Sequence, residues 1–200
     1  MKKSRAAKYE QHWQQQRQFC VLGIDDTPFD RQQNTAPVAG VICANTRFEG
    51  MLWTRVTKDG NDANVVLTQQ IMQSKFYPQL HLVLIDGIAL GGFNVIDLPQ
   101  LAVDLALPCV AVMRRPPDMQ AIQAALENLQ DGDAKMARIL KAGEIYEQDQ
   151  IYYQVAGLDP ELTGRILSQR LTDRGHVPEA LRLAHLIGSA IAYGESGRRA

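Results

Sequence analysis

The chain has 200 residues, of which 46% are hydrophobic and 22% charged. Those proportions are ordinary for a globular chain and exclude a collagen repeat, a disulfide scaffold and wholesale disorder. Its 21 basic and 22 acidic residues leave a formal charge of −1, so the whole chain lacks the basic footprint of a strong nucleic-acid binder. Net charge says nothing about local patches.

The ends and the cysteines set the expected context. Lys2, Lys3 and Arg5 resemble the start of a secretory leader, but the polar stretch Gln11 to Gln18 follows them, so no such leader is expected. The apolar stretches are too short for an ordinary transmembrane helix, so no membrane partner is expected. Cys20, Cys43 and Cys109 lie far apart in apolar, strand-like runs without metal-ligand spacing. They read as buried reduced thiols and fit a cytoplasmic protein. Residues 1–17 read as a basic, weakly helical arm with a frayed, solvated end, and 18–200 as a single domain.

In chain order, Phe19-Cys20-Val21-Leu22-Gly23-Ile24 is an apolar run closed by Asp25-Asp26, of the length of a buried strand. Thr27-Pro28-Phe29-Asp30 opens a polar loop. Val38 to Ala44 and Gly50 to Val56 read as the second and third strands, joined by a turn over Asn45 to Glu49. Connections this short fit an antiparallel meander. Asp59-Gly60-Asn61-Asp62 leads into a helix, with Asp62 as N-cap and Ala63, Val66, Leu67 and Ile71 on one face. Leu80 to Ile85 is the fourth strand, closed by Asp86-Gly87. A short helix spans Leu98 to Leu105. Cys109 to Met113 is the next parallel strand, and Arg114-Arg115-Pro116-Pro117 ends it because neither proline donates to a ladder. Helices follow from Asp118 to Leu129 and from Gly132 to Lys141, then a strand from Ile151 to Val155. Asp159-Pro160-Glu161 starts a helix through Leu171. The last helix runs from Pro178 to Tyr193, with Leu181, Ala184, His185 and Gly188 sharing one face.

This order implies an α/β fold: a mixed sheet, antiparallel over its first three strands and then parallel, flanked by helices. If the first strand is central and the fourth lies beside it, their carboxyl ends meet at one crevice. Asp25 and Asp86 occupy those ends. Two adjacent carboxylates repel unless a cation or proton lies between them, and Mg²⁺ or Mn²⁺ accepts such oxygen ligands. A separation of about 4–5 Å would fit a shared ion. Asp59 or Asp62 could add a ligand, and such a site can hydrolyse phosphodiesters. The plainer reading of every one of these aspartates is a turn or cap residue.

The same residues carry a family resemblance. Gly23-Ile24-Asp25-Asp26-Thr27-Pro28-Phe29, Phe48-Glu49-Gly50, Asp59-Gly60-Asn61-Asp62-Ala63 and the long run from Leu84-Ile85-Asp86-Gly87 to Asp97 resemble motifs of the endonuclease dU family. So do Val177 to Ile187 and Gly194-Glu195-Ser196. That family is similar to endonuclease V, which implies an RNase H-like fold and metal-dependent cleavage of nucleic acid, DNA or RNA, near a deaminated or damaged base. The resemblance implies metal ligation by Asp25 and Asp86, with Asp59 or Asp62 assisting catalysis. Endonuclease V has a glutamate after its third strand where this chain has Arg55-Val56, and a late histidine where it has Gly157-Leu158-Asp159. Asp159 could stand in for that histidine or simply cap its helix. The Gly87 to Asn94 loop would line the base pocket, with close backbone approach at Gly91 and Gly92, stacking by Phe93 and a base-edge hydrogen bond from Asn94.

Asp26 and His185 read as residues supporting the site from behind, although a lone histidine on an apolar helix face is more often a satisfied core group. Arg114 and Arg115 share the expected sheet edge with Asp25 and Asp86 and suit phosphate contact. Lys2, Lys3, Arg5, Lys8, Arg198 and Arg199 are further candidate phosphate contacts. Two rival readings stand beside a nuclease: a nucleic-acid binder that lost catalysis, and a small-nucleotide hydrolase or binder.

Overall fold

Both faces of the first apolar run are hydrophobic, and this places it inside the sheet. A computed structural model describes residues 5–30 and 32–197; Lys2, Lys3, Arg198 and Arg199, and the side chain of Arg5, lie outside the described residues. Strand β1 (Cys20–Asp26) pairs antiparallel with β2 (Thr35–Ala44), and β2 pairs antiparallel with β3 (Arg47–Thr57). On its other side β1 pairs parallel with β4 (Leu82–Asp86), and β4 pairs parallel with β7 (Cys109–Met113). Between them, β5 (Ala89–Leu90) and β6 (Asn94–Val95) form a separate two-stranded hairpin. With β8 (Tyr146–Gln148) and β9 (Ile151–Ala156), the main sheet has seven strands in the order β3-β2-β1-β4-β7-β9-β8.

The far edge adds a hairpin that sequence pattern alone does not reveal. Strand β8 (Tyr146–Gln148) pairs with β9 (Ile151–Ala156) across the two-residue turn Asp149-Gln150. Both turn residues have positive φ, 49° and 65°, as a tight hairpin of this type requires. Asp-Gln is not the usual Asn-Gly or Asp-Gly signal. Strand β9 runs antiparallel to β7, so its carboxyl end lies at the opposite end of the sheet from those of β1 and β4.

Helices cover both faces. Helices α2 (Ala63–Met72) and α3 (Leu98–Asp104) pack on Leu22, Ile24, Val83 and Ile85. Helices α6 (Pro160–Arg170) and α7 (Glu179–Tyr193) pack on Val21, Leu82 and Leu84. Helices α4 (Met119–Leu126) and α5 (Gly132–Lys141) enclose a smaller cluster with Val95. Among the described residues, no helix is long and apolar enough to cross a membrane.

From residue 5 onward the basic arm is a docked helix. In α1 (Arg5–Gln14), Tyr9 and Trp13 lie four residues apart and both pack on the α6–α7 core face. The Tyr9 hydroxyl donates to the His81 carbonyl, and Trp13 lies under the guanidinium groups of Arg165 and Arg170. His81 precedes β4, so α1 and its exposed Lys8 sit at the end of the sheet remote from Asp25 and Asp86. The three cysteines form no disulfide; Cys43 and Cys109 are buried.

Candidate active site

Strand parity brings two aspartates together. Ile24 pairs with Ile85, so Asp25 and Asp86 are the next residues in register on adjacent parallel strands. Side chains alternate along a strand. Val21 on β1, and Leu82 and Leu84 on β4, contribute to the α6–α7 core, so Asp25 and Asp86 point to that same face. Asp26 points to the opposite face, where its carboxylate accepts a 2.6 Å hydrogen bond from the Gly91 N–H.

Helix α7 lies along β1 because two glycines let it approach. A Cβ at Gly23 would stand 2.5 Å from the Ala180 carbonyl carbon, and one at Gly188 would stand 2.7 Å from Thr27 Cγ2. From Gly23 to Thr27 the strand advances about 13 Å. From Ala180 to Gly188 the helix advances about 12 Å. The two therefore stay in step, and His185, between the two contacts, falls against Asp25. In the ionised state of Asp25, the His185 Nδ1–H donates to Asp25 Oδ2 at 3.0 Å. Ligand atoms of Asp25, Asp86 and His185 all lie within 4.8 Å of one another.

Charge in this cluster is poorly compensated. Asp25 is only 6% exposed. Its burial, and next the charge of Asp86, push its carboxyl up to about 8. Burial also raises Asp86, opposed by the Arg114 guanidinium 3.3 Å away. Burial raises Asp26, opposed by the Gly91 N–H. Two carboxylate oxygens and an imidazole nitrogen at this spacing, held at a cost in desolvation and repulsion, suit a divalent cation. The cluster opens into a cleft of about 840 Å³, whose lining includes Asp26, Gly87, Arg114, Arg115 and Tyr193.

The structure sends the other sequence candidates elsewhere. The Asp59 carboxylate accepts from the Phe93 N–H at 2.8 Å, while its own N–H donates to the Gly91 carbonyl at 2.9 Å. The Asp62 carboxylate accepts from Thr57 Oγ1 at 2.7 Å and from Asn94 Nδ2 at 2.5 Å. Asp62 stands at the N-cap position of α2 but makes no capping bond. Asn94 does that work through Oδ1, which accepts from the Ala63 N–H at 3.1 Å. Burial would raise the Asp62 carboxyl, but the hydrogen bonds from Thr57 and Asn94 outweigh it and hold it below its ordinary value. Neither Asp59 nor Asp62 lines the cleft.

The expected base pocket is also a lock. Gly91 and Gly92 have φ of +56° and +85° and form the turn of the β5–β6 hairpin. A Cβ at Gly92 would meet Asp59 Oδ1 at 2.4 Å, and one at Gly91 would meet Ala36 Cβ at 2.9 Å. These glycines serve close approach to the protein's own chain. Phe93 packs with Val95, Leu126 and Ile139, and Asn94 is fully buried. Lys135, itself buried, fastens this region by donating to the Asp59 and Gly60 carbonyls at 2.9 and 2.7 Å. Gly91, Gly92, Phe93 and Asn94 are absent from the cleft wall, and of the Gly87–Asn94 loop only Gly87 lines it.

Asp159 caps α6, accepting from the Leu162 N–H at 2.9 Å. The reversed direction of β9 puts it at the far end of the sheet, so it does not stand in for the site histidine. His185 supplies an imidazole instead. Arg182 is engaged by Glu179 at 2.5 Å. Arg114 and Arg115 do line the cleft.

The sequence profile of the endonuclease dU family matches residues 17–192. A UPF0215 protein of Archaeoglobus fulgidus is 37% identical over 184 residues, spanning 92% of this chain and 99% of the relative. The chain belongs to the endonuclease dU family. Another member, from Methanosarcina barkeri, is 39% identical over 185 residues, 90% of this chain and 94% of that one. The crystal structure of an Archaeoglobus fulgidus protein of unknown function superposes with a TM-score of 0.81 at 36% identity, covering 86% of this chain and 98% of that chain. The catalytic domain of human endonuclease V superposes with a TM-score of 0.56 at 16% identity, covering 92% of this chain and 91% of that chain. Ciona intestinalis endonuclease V, in complex with DNA containing an inosine, gives 0.55 at 13% identity, covering 84% of each chain. The endonuclease dU chain thus shares the mixed α/β fold of endonuclease V.

Proposed function

We propose that this chain is a divalent-cation-dependent endonuclease that hydrolyses phosphodiester bonds near deaminated or damaged bases in DNA or RNA. The observation that carries this reading is the convergence of Asp25, Asp86 and His185 within 4.8 Å at the ends of two adjacent parallel strands. Membership of the endonuclease dU family and the shared fold with endonuclease V support it.

Asp25 and Asp86 would hold Mg²⁺ or Mn²⁺, and His185 would orient Asp25 through Nδ1 or add a nitrogen ligand. A bound cation would supply Lewis-acid polarisation of a phosphoryl oxygen and a more acidic water. Asp26, which lines the cleft and accepts from the Gly91 N–H, would support the site from behind. Arg114 neutralises Asp86 and, with the exposed Arg115 beside it, offers positive charge to phosphate oxygens.

The direct test incubates the purified protein and its Asp86→Asn variant with Mg²⁺ or Mn²⁺ and uracil- or inosine-containing DNA and RNA. Cleavage by the parent and none by the variant is expected. Equal cleavage by both, or none by the parent, overturns the assignment. One observation favours a second reading, a binder without turnover: Asp59 and Asp62 are tied into the fold, which leaves the cluster without the glutamate that endonuclease V carries after its third strand. That reading predicts salt-sensitive binding with no cation-dependent product.

A further inference from the structure

With Gly91 to Asn94 folded inward, the site needs another surface to meet a base. Beside the carboxylate cleft lies a second one of about 610 Å³. The two share Thr27, Pro28, Phe29 and Tyr193 as a common wall, so they form one continuous trough. We propose that this flank is a nucleotide subsite, which holds one unpaired base and its phosphate next to the scissile bond. The inference rests on the nuclease reading for its orientation, but not for its chemistry.

Strand parity builds the subsite. Trp53 pairs with Ala39, a residue of the α6–α7 core face, and Arg55 follows two positions later on the same face of β3. Helix α7 ends at Tyr193, capped by Gly194 in the left-handed conformation with φ 84°. Its last turn leaves Tyr193 71% exposed over the trough. Phe29 reaches the same space from the loop after β1.

The chemistry fits a single-stranded nucleotide. Aromatic rings give faces on which any base stacks, and a cation tracks the phosphate. Among the described residues, Arg55 is held by neutral acceptors: Thr35 Oγ1 at 2.9 Å, the Thr35 carbonyl at 3.4 Å and Gln33 Oε1 at 3.4 Å. Among the described residues, no carboxylate pairs with it. Its guanidinium is therefore positioned while its charge stays available. Asp30, on the rim, accepts from the Gln32 N–H at 2.9 Å.

The chain has two tryptophans, and Trp13 lies on the remote helix α1. In a Trp13→Phe background the fluorescence reports Trp53 alone. A single-stranded twelve-nucleotide oligothymidylate, titrated with Ca²⁺ present, is expected to quench it. Tyr193→Ala should weaken binding about tenfold, and Arg55→Gln should both weaken it and flatten its salt dependence. Both residues are exposed, so both variants should fold as the parent does. Unchanged affinity in both variants, no quenching, or equally tight binding of a blunt duplex overturns the subsite. Cleavage without quenching would sink the subsite and leave the nuclease; quenching without cleavage would do the reverse.

Discussion

At the carboxyl ends of β1 and β4, Asp25 and Asp86 face each other with one histidine and one arginine for company. At the turn after β3, Asp59 and Asp62 are enclosed by backbone N–H groups, a threonine hydroxyl and the Asn94 amide. Both regions are rich in acid, and both match family motifs. Their environments shift pKa values in opposite directions, up at Asp25, Asp26 and Asp86 and down at Asp62. A carboxylate given hydrogen-bond donors is a structural joint. A carboxylate buried against another carboxylate stores charge that a ligand can relieve.

The largest expected break in this comparison is Asp86→Asn, which should lower cation-dependent cleavage on the order of 10³-fold. Thermal unfolding in chelator should show the same variant at least as stable as the parent, because a repulsive charge has gone. Next, His185→Ala should weaken Mn²⁺ binding about 10- to 100-fold by calorimetric titration, since the imidazole orients Asp25 or ligates directly. Retained affinity would reduce His185 to packing. Asp62→Ala should instead cost about 1–3 kcal/mol in urea unfolding, because it strands the Thr57 N–H and the Asn94 amide. Cleavage per folded molecule should stay unchanged, and its loss would return Asp62 to the site.

A further break in the comparison is in the pH profile of stability without added cation. The folded chain holds the Asp25 proton more tightly than the unfolded chain does. Its contribution is therefore full below 3.8 and is lost as the pH rises through about 8. Asp62 has the opposite sign: its contribution is present above 3.8 and is lost as the pH falls through its lowered folded value. Melting curves across this range should thus lose their high-pH slope in Asp25→Asn and part of their acid-side slope in Asp62→Asn.

The strands carrying Asp25 and Asp86 are legible because each is an apolar run of strand length closed by Asp-Asp or Asp-Gly. The shared face of His185 with Leu181, Ala184 and Gly188 was legible too. What put His185 beside Asp25 was the close approach that Gly23 and Gly188 allow, a contact between segments more than 150 residues apart. Asp62 and Asn94 could not be read correctly because their partner atoms lie 32 residues away along the chain. Of the two readings of Asp159, the structure keeps the helix cap; the choice turns on the direction of β9, which depends on a hairpin whose Asp149-Gln150 turn gives little signal.

The most direct test of the central contrast is an anomalous difference map from crystals soaked with Mn²⁺. A peak is expected between the Asp25 and Asp86 carboxylates, within reach of His185, and none at Asp59 or Asp62. A map without density at Asp25 and Asp86, or with the ion held by Asp59 and Asp62, would contradict it.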